Sequence, residues 1–147
     1  MGEEITICKA ETKDHVELRK LQDLTREQHI VDGEHAWQVW IRYCDVMKAV
    51  SDDKIVGAAL GFPTKDNRVL VHQVFVHPEH TNKGIGTKLL SELLKQNPGK
   101  DHFLTTGTDN DSAKRVYEKC GFEQKEFIKG YYRPEEDRYV YEKPKGQ

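Results

Sequence analysis

Residues 76–90 read Val-His-Pro-Glu-His-Thr-Asn-Lys-Gly-Ile-Gly-Thr-Lys-Leu-Leu. An apolar run ends at Val76, Pro78 stops it, and a glycine-spaced turn follows at Gly84 and Gly86. A helix is predicted over residues 87–96, with Leu89, Leu90, Leu93 and Leu94 on its apolar side and Asn97-Pro98-Gly99 as its stop. A helix opened by glycines points several unpaired backbone N–H groups one way, and its macrodipole adds partial positive charge at the same end. The result is an anion cradle, and in a chain of 147 residues the anion that suits it is a cofactor diphosphate.

On the N-terminal side, Ile5 and Ile7 alternate with polar residues and predict a strand over 4–9. Val16, Leu18, Leu21 and Leu24 recur at helical spacing over 12–28, with Thr12 or Asp14 as cap and Glu17 three residues beyond Asp14. A second short helix, 35–44, carries Trp37, Trp40 and Ile41. Strands follow at 46–50 and 55–62, joined by the hairpin-turn residues Ser51-Asp52-Asp53-Lys54, and a third is predicted over 68–76. Beyond the cradle come a strand at 102–106, a helix at 109–119 capped by Asp109 or Asn110, and strands at 122–128 and 138–142. The order β-α-α-β-β-β-α-β-α-β-β implies a mixed α/β sheet with helices on both faces.

The length suits one domain, 1–147. Net charge of −2 and pI of 6.4 give no bulk attraction to nucleic acid or an anionic membrane, so neither is an expected partner. No apolar run approaches the roughly 20 residues that cross a bilayer. Cys8, Cys44 and Cys120 lack CxxC spacing and read as thiols in a reducing cytoplasm. His72, His77 and His80 suggest a metal, but strand alternation sets His72 and His77 on opposite faces and Pro78 intervenes; no metal is expected.

Two segments resemble the GCN5-related N-acetyltransferase (GNAT) superfamily. One is Val74-Phe75-Val76-His77-Pro78 followed by Lys83-Gly84-Ile85-Gly86-Thr87-Lys88-Leu89-Leu90. The other, residues 110–122, matches N-x-x-A-x-x-x-Y-E-K-x-G-F, a signature with Asn110, Ala113, Tyr117 and Gly121-Phe122 in place. The pair, in this order, is far more specific than a lone GxG. The resemblance implies a mostly antiparallel seven-stranded sheet, acetyl-CoA as co-substrate, an amine acceptor, and a homodimer as a frequent state.

Residue roles follow in part from chemistry and in part from that resemblance. Gly84 and Gly86 lack a Cβ and let the main chain approach a phosphate; amides of Thr81, Asn82, Lys83, Gly84, Ile85, Gly86 and Thr87 surround it. The resemblance places the pantetheine arm against backbone groups of Val74, Phe75 and Val76. Asn110 is either a helix cap or a contact to that arm, or both. Tyr117, a phenol with an ordinary pKa of about 10, suits protonation of the departing thiolate; otherwise it is packed on its helix. A backbone N–H, that of Val76, would polarise the thioester oxygen.

The base is less plain. Relatives resembling ribosomal-protein alanine acetyltransferases carry a glutamate on the strand before Asn110, where this chain has Thr105. His72 and Gln73 stand near the position where other members place a glutamate, and an imidazole with an ordinary pKa of about 6.5 accepts a proton at neutral pH. Thr81 and Asn82 stand where the family favours Arg or Gln and Gly, which predicts weaker cofactor affinity. The loop Lys129-Gly130-Tyr131-Tyr132-Arg133-Pro134-Glu135-Glu136-Asp137 is similar to the acceptor loop of N-terminal protein acetyltransferases. Tyr131, Tyr132 and its acidic trio are candidates to line an acceptor groove, and Trp37 or Trp40 to shape an apolar acceptor pocket, with core packing favoured for at least one of the two. A non-catalytic acyl-CoA sensor on the same fold is the rival to an acetyltransferase.

Overall fold

A computed structural model describes residues 4–25, 33–131 and 133–146. One sheet of seven strands organises them, in the order β1-β2-β3-β4-β5-β7-β6. The strands are β1 (Thr6–Lys9), β2 (Asp45–Ser51), β3 (Lys54–Pro63), β4 (Val69–Val76), β5 (His102–Gly107), β6 (Glu123–Ile128) and β7 (Arg138–Lys143). All neighbours are antiparallel except β4 and β5. Helices α1 (His15–Thr25) and α2 (Glu34–Tyr43) cover one face; α3 (Ile85–Leu94) and α4 (Asp111–Lys119) cover the other.

Strand alternation divides the core between the faces. Met47, Ala49, Val56, Ala59, Val71, Leu104 and Tyr141 meet Ile85, Leu89, Leu90 and Leu93 of α3. Val46, Ile55, Ala58 and Leu60 meet Leu18, Leu21 and Trp37 on the opposite side. β3, the central strand of the antiparallel half, is buried on both sides, which accounts for its near-continuous apolar reading.

The β2–β3 hairpin turns on Asp52 (φ 50°) and Asp53 (φ 61°), two residues that tolerate the left-handed region a tight hairpin needs. Cap expectations at the first helix need correction. Asp14 closes a short 3-10 turn, Thr12–Asp14, accepting from the Glu11 N–H at 2.7 Å, and pairs with Lys48 at 2.8 Å. Glu17 instead accepts from the Ile55 N–H at 2.7 Å and ties α1 to β3. The predicted extension of this helix beyond Thr25 lies outside the described residues. α3 begins at Ile85, two residues before the predicted start, because Gly84 takes the cap position.

A second correction concerns β4. Its register against β3 runs Leu60↔Gln73 and then Gly61↔Val71, leaving His72 as an extra residue in a bulge. A bulge breaks the two-residue alternation. Val71, Val74 and Val76 therefore pack toward α3, while His72 and Gln73 both turn to the α1/α2 face: His72 stacks on Phe62 and Gln73 bonds to Gln22 of α1.

Candidate active site

β4 and β5 run side by side only at their first residues, Val69↔His102 and Leu70↔Phe103. Beyond the bulge they separate. His77 donates its N–H to the Val56 carbonyl at 2.7 Å, so backbone groups of His77 and Phe75 point to β3, and those of Val76 and Val74 point the other way, into the gap. Val74 and Val76 thus offer the gap main-chain donors and acceptors. Phe75 does not, because its peptide groups belong to the β3 ladder and its ring packs edge-on to Trp37 at 6.3 Å.

The gap continues into a cavity of about 590 Å³ between the loop before α3, the start of α3, and α4. Its lining brings together Val74, Phe75, Val76, Thr81, Asn82, Gly84, Ile85, Gly86, Thr87, Asn110 and Tyr117, nearly all the cofactor and acid candidates. Gly84 has φ +76°, and Asn82 has φ +64°. Asn tolerates the left-handed region, so Asn82 does the conformational work of the glycine it stands in for. The first helical bond of α3 runs from the Lys88 N–H to the Gly84 carbonyl at 3.1 Å, which leaves the amides of Ile85, Gly86 and Thr87 without helical acceptors. The Ile85 side chain is buried in the core, so only its main chain serves the loop. A Cβ at Gly86 would stand 3.8 to 3.9 Å from side chains of Val74, Val76 and Val116, in the groove itself. The Thr81 hydroxyl donates to the Pro78 carbonyl at 3.2 Å and holds the loop's entry.

On α4, Asn110 is the cap: its side-chain oxygen accepts from the Ala113 N–H at 3.3 Å, and the exposed residue also lines the cavity. Tyr117 lies two helical turns further along, its ring tilted against Phe122 and Tyr141 at 6.2 and 6.1 Å. Burial pushes its phenol pKa above the ordinary value, with Arg138 pulling weakly the other way, so the group stays protonated at neutral pH. No described residue hydrogen-bonds its hydroxyl.

Across the sheet lies a second, side-chain-built surface. The Trp37 indole N–H donates to Gln22 at 3.1 Å, and the Gln22 amide donates to the Gln73 carbonyl oxygen at 2.6 Å. Trp37 is fully buried in this chain of bonds and packs edge-on to Trp40, so it lies beneath this surface and does not line it, against the expectation that it shapes an acceptor pocket. His72 is exposed and stacked on Phe62 at 4.6 Å, with Trp40 at 5.7 Å. Tyr131 is 48% exposed at the far edge; Tyr132 lies outside the described residues. Within the loop, Asp137 accepts from the Gly130 N–H at 2.9 Å, so one member of the acidic trio serves the turn. Sequence reasoning missed Gln22, which holds Gln73. A polar residue inside α1's leucine stripe was the available signal.

His77 caps the turn Pro78–His80 by accepting from the Glu79 N–H at 3.0 Å and meets the His80 ring edge-on at 5.6 Å; His80 lines the cavity, while His72 lies on the opposite face of the sheet. No helix among the described residues is long and apolar enough to cross a membrane.

The acetyltransferase (GNAT) family model matches residues 7–122. An N-alpha-acetyltransferase, RimI, of Mycobacterium tuberculosis is 40% identical over 63 residues, covering 43% of this chain and 40% of that protein. The chain therefore spans less than half of that relative's length. Among solved structures, Arabidopsis thaliana Naa50 in complex with the bisubstrate analogue CoA-Ac-MVNAL superposes with TM-score 0.78 at 23% identity, covering 95% of this chain and 97% of Naa50. The yncA protein of Salmonella typhimurium, solved with its cofactor acetyl-CoA, gives TM-score 0.81 at 19% identity and covers 95% and 93%. These two likenesses establish the shared fold.

Proposed function

Since the chain belongs to the acetyltransferase (GNAT) family, and is thereby an acyltransferase, we propose that it N-acetylates a primary amine, using acetyl-CoA, by direct attack within one ternary complex. The observation that carries the reading is the gap between β4 and β5, which leads from strand-edge donors to the free amides of α3 and passes Tyr117.

The residues present fit acetyl-CoA. Amides of Ile85, Gly86 and Thr87 would hold the diphosphate, with the loop at Asn82 and Gly84 shaped around it. Backbone groups of Val74 and Val76 would pair with the pantetheine amides as a missing strand would. Acetyl-CoA supplies the activated acyl thioester. The Val76 N–H faces the gap and is placed to stabilise negative charge on the acyl oxygen. As the C–N bond forms and the C–S bond breaks, Tyr117 gives its proton to the sulfur. Its raised pKa keeps that proton available.

The amine enters from the α1/α2 face. His72, set there by the bulge, accepts the amine's proton directly or through water; Gln73, fixed by Gln22, orients the acceptor by hydrogen bonding and cannot serve as a base. Thr105 leaves β5 without a carboxylate to take this part, and the acceptor is a small molecule more readily than a chain terminus.

Initial rates with acetyl-CoA and a panel of amino acids, polyamines, aminoglycosides and N-terminal peptides test the reading. Stoichiometric thiol release and N-acetylated product, with intersecting double-reciprocal plots and no acetyl-enzyme, are expected. His72→Gln should lower kcat while leaving acetyl-CoA affinity unchanged. Bound acetyl-CoA with no turnover against any amine would contradict it.

A further inference from the structure

A second cavity, of about 450 Å³, lies toward the C-terminal end of α3, where α4 ends, β5 begins and the chain leaves β7. Five lysines reach it, Lys95, Lys100, Lys119, Lys143 and Lys145, and no carboxylate belongs to its lining. In a chain of net charge −2 this concentration runs against the overall balance. Lys95 also pairs with Glu92 at 3.0 Å. The acids behind the walls, Asp45 and Asp101, accept from the Asn97 side chain at 2.5 Å and from the Lys145 N–H at 2.8 Å, and so help to build the site. The Lys100 N–H donates to the Asn97 carbonyl at 3.2 Å and closes the turn after α3. A Cβ at Gly121, where φ is +93°, would stand 3.3 Å from the Lys143 Cε, so the glycine leaves the room in which that side chain crosses the end of α4.

His102 is the buried polar member of the wall, 3% exposed. Its Nδ1 bonds to the Lys100 carbonyl at 3.1 Å. A carbonyl only accepts, so Nδ1 carries the proton and Nε2 of the neutral ring is left as an acceptor. That Nε2 is buried and has no hydrogen-bond partner among the described residues. Such a group in a native fold calls for a completing ligand or water. An acceptor among ammonium groups suits a molecule that brings hydroxyls together with negative charge. Leu94, Pro98 and Pro144 add an apolar surface for a ring.

We propose that this cavity is a second ligand site, separate from the acetyl-CoA groove, for a nucleoside diphosphate or a small molecule of the same chemistry. Lysine ammoniums meet phosphate oxygens as point charges, and the volume falls within the range of small-molecule sites. The assignment does not depend on acetyl transfer. The two cavities share only Thr87 and Lys119 in their walls.

The test titrates ADP by calorimetry into protein saturated with acetyl-CoA, so that the diphosphate cradle is filled. One-to-one heat is expected. The double variant Lys100→Gln/Lys145→Gln should weaken binding at least about tenfold, and Lys20→Gln, exposed on α1 across the sheet, should leave it within about twofold. His102 ring signals, followed by NMR, should shift as ADP is added; unmoved signals would put the nucleotide elsewhere and overturn the proposal. Heat that is lost with acetyl-CoA but kept with its 3′-dephospho analogue would assign the cavity to the cofactor's own phosphate, which also overturns it. So does the absence of heat with either, or equal weakening by Lys20→Gln. If the double variant does not fold, the wild-type titrations and the His102 signals decide. Should acetyl-CoA itself fail to bind, the enzymatic reading falls alone, and ADP titration of the unliganded protein with the same variants decides this one.

Discussion

The parallel pair β4 and β5 behaves differently at its two ends. At the closed end, Val69 and Leu70 pair with His102 and Phe103, and the Val69 N–H donates to the Asp101 carbonyl at 3.0 Å. His102 is buried there, its Nδ1 hydrogen-bonded to the Lys100 carbonyl at 3.1 Å. At the open end, Val74 and Val76 turn the same kinds of backbone group into a gap bounded by α3 and α4. A bulge at His72 lies between the two regimes. Pairing makes a strand structural; interrupting the pairing turns backbone groups of the next residues of the same strand toward a cavity.

Filling the open end should have the largest effect. Gly86→Leu would put a side chain among Val74, Val76 and Val116, where a Cβ alone meets only ordinary contacts, so the protein should fold. Acetyl-CoA affinity measured by calorimetry should fall by about 4 kcal/mol, from micromolar to millimolar. Unchanged affinity would mean the ligand does not pass between β4 and α4.

Tyr117→Phe tests chemistry at the same end without touching the cradle. Its kcat should fall about 100-fold, near 2.7 kcal/mol, with acetyl-CoA affinity held within about threefold. Equal losses in both would reduce Tyr117 to a packing residue.

The closed end should respond to pH instead of to acetyl-CoA. Burial, the largest influence, holds the His102 pKa below its ordinary value, Lys143 pushes the same way, and the bond to the Lys100 carbonyl opposes them. The folded state resists a proton that the unfolded chain accepts at about pH 6.5. Stability is therefore full above that pH and declines as pH falls toward the folded pKa. His102→Gln should flatten the decline between about pH 7 and pH 5, by at most about 1.4 kcal/mol per pH unit. Parallel curves for variant and wild type would remove His102 from the acid response.

The smallest effect is expected at Asn110. Losing its cap bond to Ala113 in Asn110→Ala should cost about 1 kcal/mol and lower Tm by roughly 2–4 °C. A much larger loss of acetyl-CoA affinity than of stability would give the side chain a direct role at the ligand.

The clustering of the candidate cofactor residues at the open end was legible in the sequence because its information is local. Gly84, Gly86, Asn110 and Tyr117 stand in two short segments, and main-chain geometry fixed by neighbours a few residues away determines their roles. Helix and strand order followed from apolar spacing for the same reason. The proposed acceptor side was not legible in that way. The bulge at His72 depends on register against β3, and the Gln73 side chain is set by Gln22, 51 positions earlier. Trp37 looks identical in sequence whether it lines a pocket or lies beneath one.

The most direct test of the central claim is calorimetric titration of acetyl-CoA into the wild-type protein. Saturable one-to-one heat at micromolar affinity, absent in Gly86→Leu, is the predicted result. No association at millimolar ligand would contradict the account.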